Sequence, residues 1–209
     1  MNVKICGITR LEDARVALEL GASHIGFIFH ETSPRYIAPK DVFAIAVALG
    51  PSVQKVGVFV NQPPERVRAV MEATHLDIAQ LHGDETPEIA RAAWPNVWKA
   101  LRVRDAASPD ESDAALALAD SFNGPILLDA RSDKALGGTG TKTDWAVALR
   151  VKQKHRVILA GGISPFNVQD AARVVDPWTI DVSSGVEDAP GIKSRKKMTD
   201  LFRLIGTCR

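Results

Sequence analysis

The sequence predicts an α/β fold, a closed (β/α)8 TIM barrel. Short runs rich in Val and Ile, four to six residues long, alternate with helix-period patterns from end to end. Eight such units fit into 209 residues, which suits one domain spanning 1–209 and leaves no composition shift that would mark a linker. Residues uncommon in cores and useful in sites recur just after these runs. Strict alternation implies a parallel sheet, and eight units at this length favour a barrel over an open sheet.

Taken in order, the strand segments are Asn2–Cys6, His24–Ile28, Lys55–Val60, Asp77–Leu81, Val97–Leu101, Pro125–Leu128, Arg156–Ala160 and Thr179–Val182. After the first, Thr9 and Glu12 stand in the Thr-x-x-Glu relation of a capping box, and Leu11, Ala14 and Leu18 mark an apolar face. Between the third and fourth, Val67, Val70, Met71 and Thr74 recur at i, i+3, i+4 and i+7. The fifth unit is the weakest. Arg104–Ser112 is polar and carries a proline, so the expected helix is short or irregular, confined to Asp113–Ser121. After the seventh strand, Ser164 is placed to cap and Pro165 to take the first helical position. Val168, Ala171, Ala172 and Val175 then supply the buried stripe.

Composition narrows the function classes. Hydrophobic residues make up 45%, enough for a sizeable core. Lys and Arg number 26 against 25 Asp and Glu, which gives no electrostatic footprint for nucleic acid or an anionic membrane. No apolar run approaches the roughly 20 residues of a membrane span, and no signal-peptide core is seen. A cytoplasmic enzyme, monomer or homodimer, is the expectation. Cys6 and Cys208 are accordingly expected as free thiols. Neither metal-ligand spacing nor a post-strand GxGxxG occurs, so no metal, dinucleotide or other cofactor is expected. Trp94, Trp98, Trp145 and Trp178 read as packing residues.

The ends of the strands carry the chemistry, because in this fold they converge on one mouth. Three Gly-rich segments follow the last three strands: Gly137-Gly138-Thr139-Gly140, Gly161-Gly162 and Ser183-Ser184-Gly185. Glycine admits positive φ and close approach, so successive N–H groups can face an anion, and together these segments predict a phosphate cradle. Cys6 is either a small buried hydrophobe or a reactive thiol. Asp129, behind Ile126-Leu127-Leu128, is either a loop anchor or an acid–base group. Arg35 is either a solvated surface residue or a fork that clamps a substrate carboxylate. His82 and Asp181 also sit at strand ends, where a hydrogen-bonded structural role is the default.

These segments, in this order, resemble the phosphoribosylanthranilate isomerases of tryptophan biosynthesis. The resemblance rests on Lys4-Ile-Cys-Gly-Ile-Thr9, Ser33-Pro34-Arg35, Val56-Gly-Val-Phe-Val-Asn61, Gln80-Leu-His-Gly83 and Leu127-Leu-Asp129. It continues through Gly137-Gly-Thr-Gly140, Asp144-Trp145, Leu159-Ala-Gly-Gly162, Asn167-Val168, Asp181-Val-Ser-Ser-Gly-Val-Glu187 and Pro190-Gly-Ile-Lys193. It implies an Amadori rearrangement of N-(5-phosphoribosyl)anthranilate to 1-(2-carboxyphenylamino)-1-deoxyribulose 5-phosphate. It further implies Asp129 as general acid, Cys6 as general base poised by local positive potential, and Arg35 on the anthranilate carboxylate. His82 and Asp181 would contact substrate, and Gly138, Thr139, Gly140, Gly161, Gly162, Ser183, Ser184 and Gly185 would hold the phosphate. Ala130, Thr143 and Ser194 depart from the family pattern. The rival readings are another phosphate-binding barrel isomerase or epimerase, and a catalytically silent barrel.

Overall fold

The computed structural model describes residues 1–104, 108–131 and 145–207. Eight parallel strands close into a barrel in sequence order, from β1 to β8, with β8 pairing back onto β1. They are β1 (Asn2–Cys6), β2 (His24–Ile28), β3 (Gln54–Phe59), β4 (Ile78–Leu81), β5 (Val97–Arg104), β6 (Ile126–Arg131), β7 (Val157–Ala160) and β8 (Thr179–Val182). The helices outside are α1 (Leu11–Glu19), α2 (Pro39–Leu49), α3 (Pro64–Thr74), α4 (Pro87–Ala93), α5 (Pro109–Asp120), α6 (Trp145–Lys152), α7 (Val168–Val175) and α8 (Arg195–Gly206). A small antiparallel hairpin, β9 (Glu187–Ala189) with β10 (Ile192–Lys193), follows the last barrel strand.

Two apolar layers result from the period of two along each strand. Val56, Ile78, Trp98, Ala100, Leu127, Ile158 and Ala160 form the cluster inside the barrel. The alternate residues, among them Ile5, Ile25, Leu81, Ile126, Leu128 and Leu159, face the helices, whose apolar stripes meet them. The periodicity read for α3 and α7 holds: Val67, Val70, Met71 and Thr74 are buried, as are Val168, Ala171, Ala172 and Val175. At the lower end of the interior, His24 packs on Trp98 and Trp178 with ring centroids 4.9 and 6.0 Å away. Trp98 and Trp145 are buried in the packing role expected of them.

Three local expectations need correction. Thr9 does not cap α1: its hydroxyl donates to the Gly191 carbonyl at 2.6 Å, and Arg10 is the N-cap residue. The pull of the hairpin outweighs the local capping geometry. Ser164 does not cap α7 either, because residues 165–167 form a turn and the helix starts at Val168. There the Asn167 side chain reaches back, its Oδ1 accepting from the Ser164 N–H at 2.9 Å. The fifth helix is neither short nor irregular. It runs for 12 residues, opened by Ser108 and Glu111 as a reciprocal capping box with Pro109 in the first turn. The proline that seemed to break the segment is the one that starts it.

Candidate active site

At the C-terminal ends of β1 and β8 a charged cluster is built into the wall. Lys4 and Cys6 lie two residues apart on β1 and therefore on one face, toward the interior. Lys4 is in register with Asp181 of β8 and His24 of β2, and Cys6 with Gly26 of β2. The Lys4 ammonium is fully buried and donates to both oxygens of Asp181, at 3.0 and 2.9 Å. A Cβ at Gly26 would meet the Cys6 Sγ at 2.9 Å and the Lys4 Cε at 3.0 Å. The missing side chain is thus what admits sulfur and cation to the same corner.

Burial pushes the Cys6 thiol above its ordinary pKa, opposed by the attraction of Lys4, reinforced by Asp181 and opposed again by Lys193. The positive potential expected around Cys6 is present, yet burial outweighs it in the ligand-free protein. For Lys4, burial works to lower the pKa, but Asp181 and Cys6 overcome it and hold the ammonium above the usual lysine range. Cys6 is a free thiol. Cys208 lies outside the described residues.

Gly7 follows Cys6 at φ +72°, a conformation that L side chains rarely adopt. A Cβ there would strike the Arg35 Cδ at 2.6 Å, so the arginine stem packs across the turn beside Cys6. The Arg35 fork is occupied from within the protein. Its Nε donates to Glu187 at 2.8 and 3.0 Å, and its Nη2 at 2.6 Å. Lys193 donates to the same carboxylate at 2.7 Å. Burial would raise the Glu187 pKa, but the hydrogen bonds from Arg35 and Lys193 hold it below the usual range. Arg35, expected to reach a ligand carboxylate, therefore reaches Glu187 through two of its nitrogens, leaving Nη1 as the one that makes no hydrogen bond among the described residues. The hairpin carrying Glu187 and Lys193 is tied to the β1 side twice, by Thr9 on Gly191 and by Asp13, which accepts from the Lys193 N–H at 3.0 Å.

Across the mouth, Asp129 sits on β6 in register with Arg102 of β5 and Ala160 of β7. His82 follows β4, with its Nε2 3.2 Å from Asp129 Oδ2 and its Nδ1 2.9 Å from the Gln80 amide. Arg102 donates to the His82 carbonyl at 3.2 Å, and its side chain is exposed at the rim. Behind this side lies a buried ion pair, Lys99 to Glu85 at 2.7 Å. Glu85 also accepts from the N–H groups of Asn61, at 2.8 Å, and of Gly83, at 2.9 Å. That carboxylate fixes the loop on which His82 is carried.

Between the two sides come the ends of β7 and β8. Gly161 and Gly162 both have positive φ, +81° and +64°, and nothing lies within 4 Å of a Cβ placed on Gly162. Ser184–Val186 form a 3-10 turn in which Gly185 abuts the Ile163 carbonyl. The Ser183 hydroxyl is buried without a partner among the described residues, 3.1 Å from a Cβ at Gly7. It thus faces the Cys6 turn. Gly138, Thr139 and Gly140, with Thr143, lie outside the described residues. Among the described residues no group of three or more His, Cys, Asp or Glu side chains has a metal-binding arrangement.

Sequence reasoning missed Lys4, Gln80, Arg102 and Lys193 as parts of this mouth. The signal for two of them was the period of two. Lys4 shares a face with Cys6, and Gln80 with His82.

Residues 3–203 match the family model described as N-(5'phosphoribosyl)anthranilate (PRA) isomerase. The chain belongs to that isomerase family. The N-(5'-phosphoribosyl)anthranilate isomerase of Geobacter metallireducens is 45% identical over 203 residues, covering 97% of this chain and 98% of the relative. The crystal structure of the phosphoribosyl anthranilate isomerase from Thermotoga maritima superposes with a TM-score of 0.89 at 40% identity, with 99% of each chain covered. A further crystal structure, of a phosphoribosyl anthranilate isomerase in complex with reduced 1-(o-carboxyphenylamino)-1-deoxyribulose 5-phosphate, superposes at 0.86 with 38% identity and 99% of each chain. The chain is therefore a TIM-barrel isomerase of tryptophan biosynthesis.

Proposed function

We propose that this isomerase carries out the Amadori rearrangement of N-(5-phosphoribosyl)anthranilate with Asp129 as general acid and Cys6 as general base. The observation that carries the assignment is topological. Asp129 and Cys6 stand on β6 and β1, and on the shorter way round the closed barrel only β7 and β8, with their glycine turns, lie between them. A phosphate held by Gly161, Gly162, Ser184 and Gly185 anchors the sugar on that arc, with one reactive group on each side. Gly138, Thr139 and Gly140 complete the cradle in this reading, and Ser183 lines its border with the Cys6 turn.

Protonated Asp129 gives its proton to the ribose ring oxygen as the C1–O bond breaks and the anilino nitrogen lone pair forms the Schiff base. The Cys6 thiolate then takes the C2 proton, and the C–H electrons pass into the C1–C2 bond while the iminium electrons return to nitrogen. The enolamine so formed tautomerises to the ketone. His82 holds Asp129 in place, and Asp181 orients substrate through the Lys4 side of the mouth. Arg35 meets the anthranilate carboxylate through Nη1. No cofactor enters the scheme, and the substrate is the phosphorylated partner of a single-domain cytoplasmic enzyme. Positioned acid–base groups contribute roughly 10²–10⁴-fold each.

The test follows the loss of substrate fluorescence with purified protein. Cys6→Ser and Asp129→Asn should each lose kcat by about 10²-fold or more while remaining folded by circular dichroism. Wild-type kcat in either variant refutes that residue's role.

A further inference from the structure

We propose that Lys4 is a positioning residue for the reaction: clamped between Asp181 and Cys6 on the inner face of the barrel, its ammonium sets the pH at which Cys6 becomes a thiolate base. The inference rests on the reading of Cys6 as the base and adds the group that makes it one. A lysine with no exposed surface, on the same strand face as a buried thiol and in register with an aspartate, is a costly arrangement for a fold to keep. An apolar side chain would fill the space without that cost. The ammonium has three protons, and the two Asp181 oxygens engage it at 3.0 and 2.9 Å. The sulfur lies in the same corner, over the bare face of Gly26.

Charges reach this thiol from several elements. On β1 stands Lys4, and on β8 Asp181. The loop after β2 brings Arg35, and the hairpin brings Glu187 and Lys193, with Glu187 paired to both Lys193 and Arg35. Gly26 of β2 contributes none, and His24 below it faces Lys4 with its own pKa driven down to about 4 by burial and by that ammonium. Lys4 thus acts on both neighbours as a protonated cation. It is the largest attraction opposing the burial of the thiol. Asp181 works in the other direction, disfavouring the thiolate while it neutralises Lys4. The pair is a balance, in which each member moves Cys6 the opposite way.

That opposition gives the test. In a Cys208→Ser background Cys6 is the only thiol of the chain. Its ionisation is followed by the ultraviolet absorbance of the thiolate against pH, alongside the pH profile of kcat/KM. Lys4→Met should move the midpoint upward, and Asp181→Asn should move it downward. Each unit of displacement changes the thiolate fraction near neutral pH by about tenfold. A residue with a merely structural role would not split the two variants in sign. Midpoints that move together, or that stay at the wild-type value, overturn the proposal. Should Lys4→Met fail to fold, Asp181→Asn decides alone, because an upward or absent shift is enough to reject it. Failure of the underlying base assignment looks different: Cys6→Ser would keep wild-type kcat while the midpoints still split.

Discussion

A methyl group at Gly185 would sit 2.0 Å from the carbonyl oxygen of Ile163 and 2.9 Å from both its carbonyl carbon and the Ser164 Cα. All three are backbone atoms, so no side chain can swing aside. Ordinary carbon contacts begin near 3.5 Å, and the turn after β7 or the turn after β8 must therefore shift by roughly 1 Å or more. Overpacking of this kind costs about 1–3 kcal/mol, which for a chain of this size lowers Tm by about 2–4 °C per kcal/mol. The same displacement separates the two turns that are assigned to the phosphate, and misplacement by about 1 Å can cost about 10²-fold in rate. Gly185→Ala should then raise KM and weaken competitive inhibition by inorganic phosphate, beyond what its lower Tm accounts for at the assay temperature. Gly206→Ala is the control. It lies at the end of α8 with open space around its Cβ, and it should leave KM unchanged while stabilising by up to about 1 kcal/mol. A Gly185→Ala variant that melts earlier but keeps wild-type KM and phosphate inhibition refutes the cradle.

Four further outcomes follow from the geometry. His24 has its pKa lowered to about 4 by burial and by Lys4, so it stabilises the fold above the unfolded value near 6.5 and loses that contribution as pH falls toward 4. The loss is about 3 kcal/mol, and denaturant titrations from pH 7 to 4 should show a slope that His24→Phe reduces; an unchanged slope rejects the assignment. Glu85→Ala strands the Lys99 ammonium in the interior and should cost about 3–5 kcal/mol in urea unfolding, with Lys99→Met in the same chain restoring much of it. Ser194, the N-cap residue of α8, makes no side-chain capping bond and precedes Arg195, Lys196 and Lys197 in the first turn. Ser194→Asp should raise stability by about 1 kcal/mol through a cap and a favourable helix-end charge, and a lower Tm would show that its buried side cannot take the carboxylate. Glu187→Gln leaves Arg35 and Lys193 without their shared carboxylate and should raise KM for the anthranilate substrate; unchanged KM would place the Arg35 fork outside the site.

The barrel was readable because each strand buries its own apolar pattern, and the period of two and the period of 3.6 survive in the sequence. Asn2–Cys6, His24–Ile28 and Thr179–Val182 have the bounds that their residues suggest. What could not be read were contacts made at a distance along the chain. Thr9 has a capping partner three residues away and instead bonds Gly191, 182 positions on. Arg35 looks like a free fork until Glu187 is brought to it across 152 positions. The α5 start is a local matter: Pro109 reads as a break on its own, but Ser108 ahead of it and Glu111 after it complete a start signal. Helices α2, α3 and α4 likewise begin on Pro39, Pro64 and Pro87, so the punctuation was consistent along the chain. Cys6 and Asp129 were legible as strand-end residues, but the sequence alone left each with a structural alternative, and the roles came with the family resemblance.

The charges of the mouth explain why a phosphate site here would be made of glycines. Arg35 and Lys193 share Glu187, and Lys4 is neutralised by Asp181, so on the β8–β1–β2 side the cations named are spent within the wall. Arg102, on the far side, is an exposed cation, and it stands beside Asp129 in register rather than beside β7 and β8. Backbone N–H groups in the proposed cradle would bind a doubly charged ester without adding a net positive charge next to Cys6. That separation has a chemical consequence. A free lysine in the cradle would lower the Cys6 pKa whether or not ligand was present, and would expose a thiolate to oxidation in the empty enzyme. With the cations paired internally, burial keeps the thiol raised in the ligand-free state, and the opposed pull of Lys4 and Asp181, with Lys193, sets how far it must be moved to act.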